Sequence, residues 1–274
     1  MTFILLLLIG VLTGMLAGLL GIGGGLIFTP ILFYIFSQSG LGQATQWAIG
    51  SSLFCTFVAS SGSVLKQYRN TNLFLPDSIK LGFAGIIGTI AGTGITLSGW
   101  YGEAQFTVIF SILLLYTSWN LFIKDTKSGK STRHGAAREL PIISALFIGI
   151  AGGIVASLAG VGGGVVLVPL MTLVLGIPFI QAVSISSGAI VVISLSAWVQ
   201  MAWAQPVNQG ITNLTVGFVD FGTALPLILG SFAGGYLGVK IGHLIPQKTL
   251  ERIFAILLIL VAIKLIYEGY LANT

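Results

Sequence analysis

Charge is what this sequence has least of. Only 7% of its 274 residues are Asp, Glu, Lys or Arg, against about a quarter in a soluble domain. So few polar side chains cannot cover a water-exposed surface, and with 55% hydrophobic residues the chain is an integral membrane protein. Alternation of apolar and polar residues is missing too, which excludes the strands of a membrane barrel and leaves helices as the spanning elements. Cysteine occurs once, as Cys55, so there is no internal disulfide and no cysteine-rich metal site. Cys55 lies in an apolar span and reads as a packing residue. The N-terminus lacks the basic residues and the cleavage site of a signal peptide, so its apolar run is expected to stay attached. The net charge of +5 sits mainly in loops, which points to orientation in a bilayer rather than to nucleic acid.

What is present is a set of apolar segments at roughly 2–36, 43–65, 75–97, 104–123, 141–175, 180–203, 215–238 and 249–267. The segments suggest a first membrane repeat (1–123), a basic cytoplasmic linker (124–140) and a second membrane repeat (141–274). The linker carries Lys124, Asp125, Lys127, Lys130, Arg133, His134, Arg138 and Glu139.

The two halves repeat each other in order. Gly21, Gly23, Gly24, Gly25 and Pro30 match Gly160, Gly162, Gly163, Gly164 and Pro169. Phe74-Leu75-Pro76-Asp77 resembles Phe218-Val219-Asp220, and Gly88-Thr89-Ile90-Ala91-Gly92 resembles Gly230-Ser231-Phe232-Ala233-Gly234.

Segments 2–36 and 141–175 exceed the ~20 residues that a span needs, and a glycine cluster interrupts each. Each is either one long broken crossing or a hairpin that returns to its own side. In the first case Lys66, Arg69, Lys124, Lys127, Lys130, Arg133 and Arg138 lie on one side, and Lys240, Lys248 and Arg252 on the other. In the second case all ten share one side, as the positive-inside rule favours. The expected fold is therefore an all-α polytopic membrane protein. It has two inverted repeats, each a Gly-tipped broken-helix hairpin plus three transmembrane helices. The return arms are short, the tips are expected near mid-membrane, and both termini face away from the cytoplasm of a cell (inner) membrane.

Glycine and proline are poor helix formers, so the clusters need a reason. A broken helix at membrane depth exposes backbone groups, which is tolerated only inside protein or beside a wet cavity. Gly23, Gly24 and Gly25 lead into one arm, and Gly162, Gly163 and Gly164 into another. A helix N-terminus offers free N–H donors and a partial positive charge, so two such ends meeting would suit an anion. Plain close packing of helices is the competing explanation. It fits Gly88, Gly92, Gly230, Gly234 and Gly238, with their four-residue spacing. Ser51 and Ser52 after the first hairpin, and Ser184, Ser186 and Ser187 after the second, are further donors, unless each bonds its own helix backbone. Asp77, Lys80 and Asp220 are expected to snorkel at span ends, and Trp47, Trp100, Trp119, Trp198 and Trp203 to sit at the membrane interfaces.

The duplicated Gly-x-Gly-Gly-Gly followed by proline resembles the TauE/SafE sulfite-exporter family. So does Gln46-Trp47-Ala48-Ile49-Gly50-Ser51-Ser52-Leu53, which is similar to that family's Ala-Val-Gly-Thr-Ser-Leu pattern. The resemblance covers nearly the whole chain. It implies a secondary transporter of small anions such as sulfite, other sulfur oxyanions or organosulfonates, working by alternating access. It also implies a site lined by Gly23, Gly24, Gly25, Ser51, Ser52, Gly162, Gly163 and Gly164, with Ser184 and Ser186 as second-half candidates. Ser51 replaces a frequent threonine and keeps the hydroxyl, whereas Ile185 stands at the matching place in the second half.

No cofactor, metal or catalytic residue is expected. The partners are a small anion and the lipid bilayer, and the sequence leaves homo-oligomer formation open. A channel or a cation-coupled carrier for another solute is the alternative. An intramembrane serine protease built on Ser187 and His243 lacks its motif, because Ile185 stands where a glycine is needed. A nucleotide site lacks the third glycine of its fingerprint and the acidic partner.

Overall fold

Long apolar runs satisfy their backbone internally as helices, and the computed structural model describes residues 2–69, 74–127 and 140–241, with Ile256, Ile259, Leu260, Ala262 and Ile263. Helix α1 (Thr2–Leu20) is followed by α2 (Gly25–Gln38), α3 (Ala44–Arg69), α4 (Leu75–Thr96) and α5 (Glu103–Lys127). The second half begins with α6 (Ile142–Ala159) and α7 (Gly164–Pro169), which continues as a π-turn over Leu170–Val174. Then come α8 (Phe179–Trp203), a two-stranded ribbon of β1 (Thr215–Val216) and β2 (Val219–Asp220), and α9 (Phe221–Ile241). Among the described residues six helices, α1, α3, α4, α6, α8 and α9, are long and apolar enough to cross a bilayer. The protein is an all-α polytopic membrane protein.

Both glycine clusters reverse the chain. A straight continuation of α1 would carry Gly24 roughly 16 Å past Thr13. Instead, a Cβ added at Gly24 would lie 3.1 Å from Thr13 Cγ2 and 3.5 Å from Ala17 Cβ. A Cβ added at Gly163 would lie 2.5 Å from Gly152 O. Each first arm is long enough to cross a bilayer alone, and only the return arms are short.

Backbone contacts at small residues give the helix directions. Added Cβ atoms at Gly10, Gly14 and Gly18 would strike the carbonyls of Leu227, Ser231 and Gly235 at 2.3–2.6 Å, so α1 and α9 run parallel. Those at Gly230, Gly234 and Gly238 would strike Leu7 O, Val11 O and Met15 O at 2.2–2.3 Å. The α4–α6 pair repeats the pattern: Gly88 meets Ile150 O at 2.1 Å, and Gly153 meets Gly85 O at 2.1 Å. Each four-residue glycine row of one half thus packs on a helix of the other half. The opposite face of α1 presents Phe3, Ile4, Leu5, Leu8 and Leu12 outward.

Helices α3 and α8 form the centre and run antiparallel. Phe54 packs edge-on against Trp198 at 5.1 Å, and Gln67 Nε2 donates to Ser187 Oγ at 3.3 Å. Lys66, near the end of α3, lies 5.3 Å over the ring of Tyr236 near the end of α9. Those two basic helix ends therefore share one side of the molecule.

Some expectations change. The segment from 215 opens as a β-ribbon, with Gly217 at φ 55 supplying the tight turn. Trp47 is no interfacial anchor: it is wholly buried against Phe36 and Phe218. Trp198 is half-buried against Phe54 and Phe57. Trp100, Trp119 and Trp203 are exposed. Asp220 does not snorkel. It is fully buried, and its carboxylate accepts from Thr212 N, Thr223 N and Thr212 Oγ1 at the start of α9. Asp77 is buried too and pairs with Lys80 at 3.1 Å. Helix α5 runs to Lys127, past the expected start of the linker. Residues 128–139 of the linker, His243 and most of the segment 249–267 lie outside the described residues.

Candidate functional site

The two glycine segments cross at the centre of the molecule. They run antiparallel: an added Cβ at Gly25 would lie 2.4 Å from Gly160 O, and one at Gly164 would lie 2.6 Å from Gly21 O. Midway, added Cβ atoms at Gly23 and Gly162 would meet the same two side chains, Thr56 of α3 and Ile190 of α8, at 2.5–3.1 Å. Residues Gly21–Gly25 and Gly160–Gly164 are all buried. Only glycine fits here, for want of space and because the turns are left-handed. Gly23 and Gly24 have φ 88 and 80, and Gly162 and Gly163 have φ 73 and 84.

Gly24 and Gly163 occupy the N-cap positions of α2 and α7, and neither helix start has a side-chain cap. Among the described residues, the first arm N–H groups with a backbone acceptor are those of Ile27 and Phe28, both on Gly24 O. In the second arm they are those of Val166 and Leu167, both on Gly163 O. The donors before them face the crossing with the positive end of the helix dipole. The side chains that close on the tips include Thr13, Phe28, Thr29, Thr56, Val183 and Ile190, all uncharged.

The hydroxyls expected at the site hold the tips together across the halves. Ser52 Oγ donates to Gly160 O at 2.9 Å, and Ser186 Oγ donates to Gly21 O at 2.8 Å. These bonds are equivalent, each satisfying a carbonyl orphaned at the end of the other half's first arm. Thr29 Oγ1 donates to Ser52 Oγ at 2.8 Å. Two more α6 carbonyls are bonded by Thr96 Oγ1, on Ser157 O at 3.0 Å, and by Tyr101 Oη, on Leu158 O at 2.5 Å. Burial pushes the Tyr101 phenol above its ordinary range, which keeps it a donor.

The structure thus brings Gly23, Gly24, Gly25, Gly162, Gly163 and Gly164 together, with Ser52 and Ser186 bonded to the tip carbonyls. Ser51 sits apart: its Oγ accepts from Asp220 N at 3.0 Å. Ser187 back-bonds to Val183 O at 2.8 Å, and Ser184 is buried in α8. Thr56 was not anticipated. One helical turn after Ser52 and in register with Ile190 when the halves are aligned, it was within reach of the repeat comparison.

The family described as sulfite exporter TauE/SafE matches residues 6–265. The chain belongs to that family. Its relatives include the probable membrane transporter protein YunE of Bacillus subtilis, 28% identical over 98% of this chain and 99% of that protein. The probable membrane transporter protein MJ0441 of Methanocaldococcus jannaschii is 28% identical over 90% of this chain and 89% of its own. A probable membrane transporter protein of Haemophilus influenzae is 28% identical over 96% and 98%. No solved structure matches the chain. With six helices among its described residues long and apolar enough to cross a bilayer, this TauE/SafE protein is a multi-pass membrane transporter.

Proposed function

We propose that the protein is a secondary transporter of small anions, of the sulfite, sulfur-oxyanion or organosulfonate class, that works by alternating access. One observation carries this reading: two uncapped arm N-termini cross at the buried centre, walled by neutral side chains. Backbone donors there can hold an anion without a buried lysine or arginine. The site in this reading is Gly23, Gly24, Gly25, Gly162, Gly163 and Gly164, framed by Ser52 and Ser186 on the tip carbonyls, with Ser51 and Ser184 beside them in sequence on α3 and α8. With the tips enclosed, an anion reaches them only when one hairpin moves against the α3–α8 centre.

The reading includes two inverted repeats (1–123 and 141–274) around a basic cytoplasmic linker (124–140), with both termini outside the cytoplasm of the cell membrane. The parallel α1–α9 and α4–α6 pairs, the chain reversals and the shared side of Lys66 and Lys240 support it. A single crossing of each long segment would have put those lysines on opposite sides.

The test is saturable, counter-exchanging uptake of labelled sulfite into proteoliposomes, alongside thermal stabilisation of the purified protein by sulfite, sulfate, thiosulfate and small sulfonates. Non-saturating flux would favour a channel. No stabilisation and no flux with any of these anions would overturn the proposal.

A further inference from the structure

Thr56 is a side chain in which the two halves differ at the crossing. It is fully buried, yet its Oγ1 has no hydrogen-bond partner. A helix threonine ordinarily bonds back to the carbonyl a turn earlier, and a buried polar group without a partner is costly. The neighbouring hydroxyls of Thr29, Ser52 and Ser186 all find acceptors. The unused hydroxyl also points to the start of α2: a Cβ added at Gly25 would lie 3.0 Å from Thr56 Oγ1. The orphaned donor and the uncapped N-terminus of this 14-residue helix thus share one spot. Across the pseudo-two-fold the equivalent place is filled by Ile190, which has nothing to donate.

We propose that Thr56 Oγ1 is the side-chain hydrogen-bond donor to the transported anion. Resting on the anion-carrier reading, the assignment makes the site lopsided. One pole binds oxyanion oxygens through Thr56 and the α2 N–H groups. The Ile190 pole takes the less polar end of the solute. A solute with a charged oxygen face and a soft or apolar back, such as sulfite with its lone pair or a small alkylsulfonate, fits better than sulfate, which is polar all round.

The experiment uses the full-length protein in detergent, with sulfite, methanesulfonate and sulfate as probes by calorimetry and melting temperatures recorded without anion. Thr56→Val keeps the shape and removes the hydroxyl; Thr56→Ser keeps the hydroxyl. A hydrogen bond to a charged group predicts a loss of about tenfold or more in sulfite affinity for Thr56→Val. Thr56→Ser should stay within about threefold of the parent on the same scale. Without anion Thr56→Val should melt no lower than the parent, since it removes an unsatisfied group. Parent binding should rank sulfite and methanesulfonate above sulfate. Equal binding by Thr56→Val and the parent, or a lower melting temperature of Thr56→Val restored by Thr56→Ser, overturns the assignment alone. Tightest binding of sulfate refutes the lopsided site. A parent that binds none of the probes overturns the anion-carrier reading and this assignment with it.

Discussion

Gly88 and Gly94 lie on the same helix, α4, in opposite surroundings, and alanine at each should have opposite effects. A Cβ at Gly88 would sit 2.1 Å from Ile150 O and 2.9 Å from Ile154 N; a Cβ at Gly94 meets nothing within 4 Å. Van der Waals separation would require α4 and α6 to part by roughly 1–1.5 Å at Gly88. Overpacking costs about 1–3 kcal/mol, and a backbone-to-backbone clash belongs at the upper end. Both substitutions gain the same ~1 kcal/mol of helix propensity, so the difference between them isolates the clash at about 3 kcal/mol. At ~2–4 °C per kcal/mol for a chain of this size, Gly88→Ala should melt roughly 6–12 °C below Gly94→Ala. Gly94→Ala should melt at or above the parent. The assay is tryptophan-fluorescence melting of detergent-purified protein. If the two variants melt within about 1 °C of each other, the close α4–α6 approach does not hold the molecule together.

Gly24→Ala should lower sulfite affinity at least about tenfold while leaving folded protein, because its methyl obstructs the anion's approach to the backbone donors, and the left-handed alanine should also strain the turn by ~1–3 kcal/mol; calorimetry with a parallel melt measures both. Gly163→Ala should also melt lower, since its new methyl meets Gly152 O at 2.5 Å, and parent-like binding by both variants would remove the tips from the site. Ser52→Ala leaves Gly160 O without its donor and should cost about 1–3 kcal/mol of stability, read as a lower melting temperature; an unchanged melt would mean that the bond across the halves contributes nothing. With Cys55 replaced, single cysteines at Thr2 and Ser131 should react with an impermeant thiol reagent from opposite faces of the membrane, and labelling from the same face would refute the hairpin topology.

The large-scale plan was readable because it rests on residues with few alternative uses. Three glycines and a nearby proline, twice, in apolar runs can hardly continue a helix, and both runs do reverse at Gly21–Gly25 and Gly160–Gly164. Four-residue glycine rows read as packing surfaces and are so used, at Gly88, Gly92, Gly230, Gly234 and Gly238. What escaped depends on where a helix face points. Tryptophan often marks an interface, but Trp47 is turned inward by its place on the central helix α3. Asp220 does stand at a span end, but its burial was not legible because the donors to its carboxylate, Thr212 and Thr223, come from a loop and a helix start that hydropathy does not distinguish. The serines suggested loose donors, yet Ser52 and Ser186 are committed to carbonyls far away in sequence. Thr56, an ordinary threonine in an apolar helix, gains its meaning only from Gly25 and Ile190 beside it.

Because α1 lies on α9 and α4 on α6, the helix pairs that close the molecule are assembled late in biosynthesis. The first half leaves the ribosome with the glycine rows of α1 and α4 bare. Their partners follow only as the second half is made, α9 on the order of 10–40 s after α1 at typical elongation rates. Until then the nascent first half has two grooved helices facing lipid or the insertion machinery, and it lacks the serine, Ser186, that bonds its own glycine tip. The first half is therefore no independent folding unit, and a chain cut at the linker should assemble only when both pieces are made together.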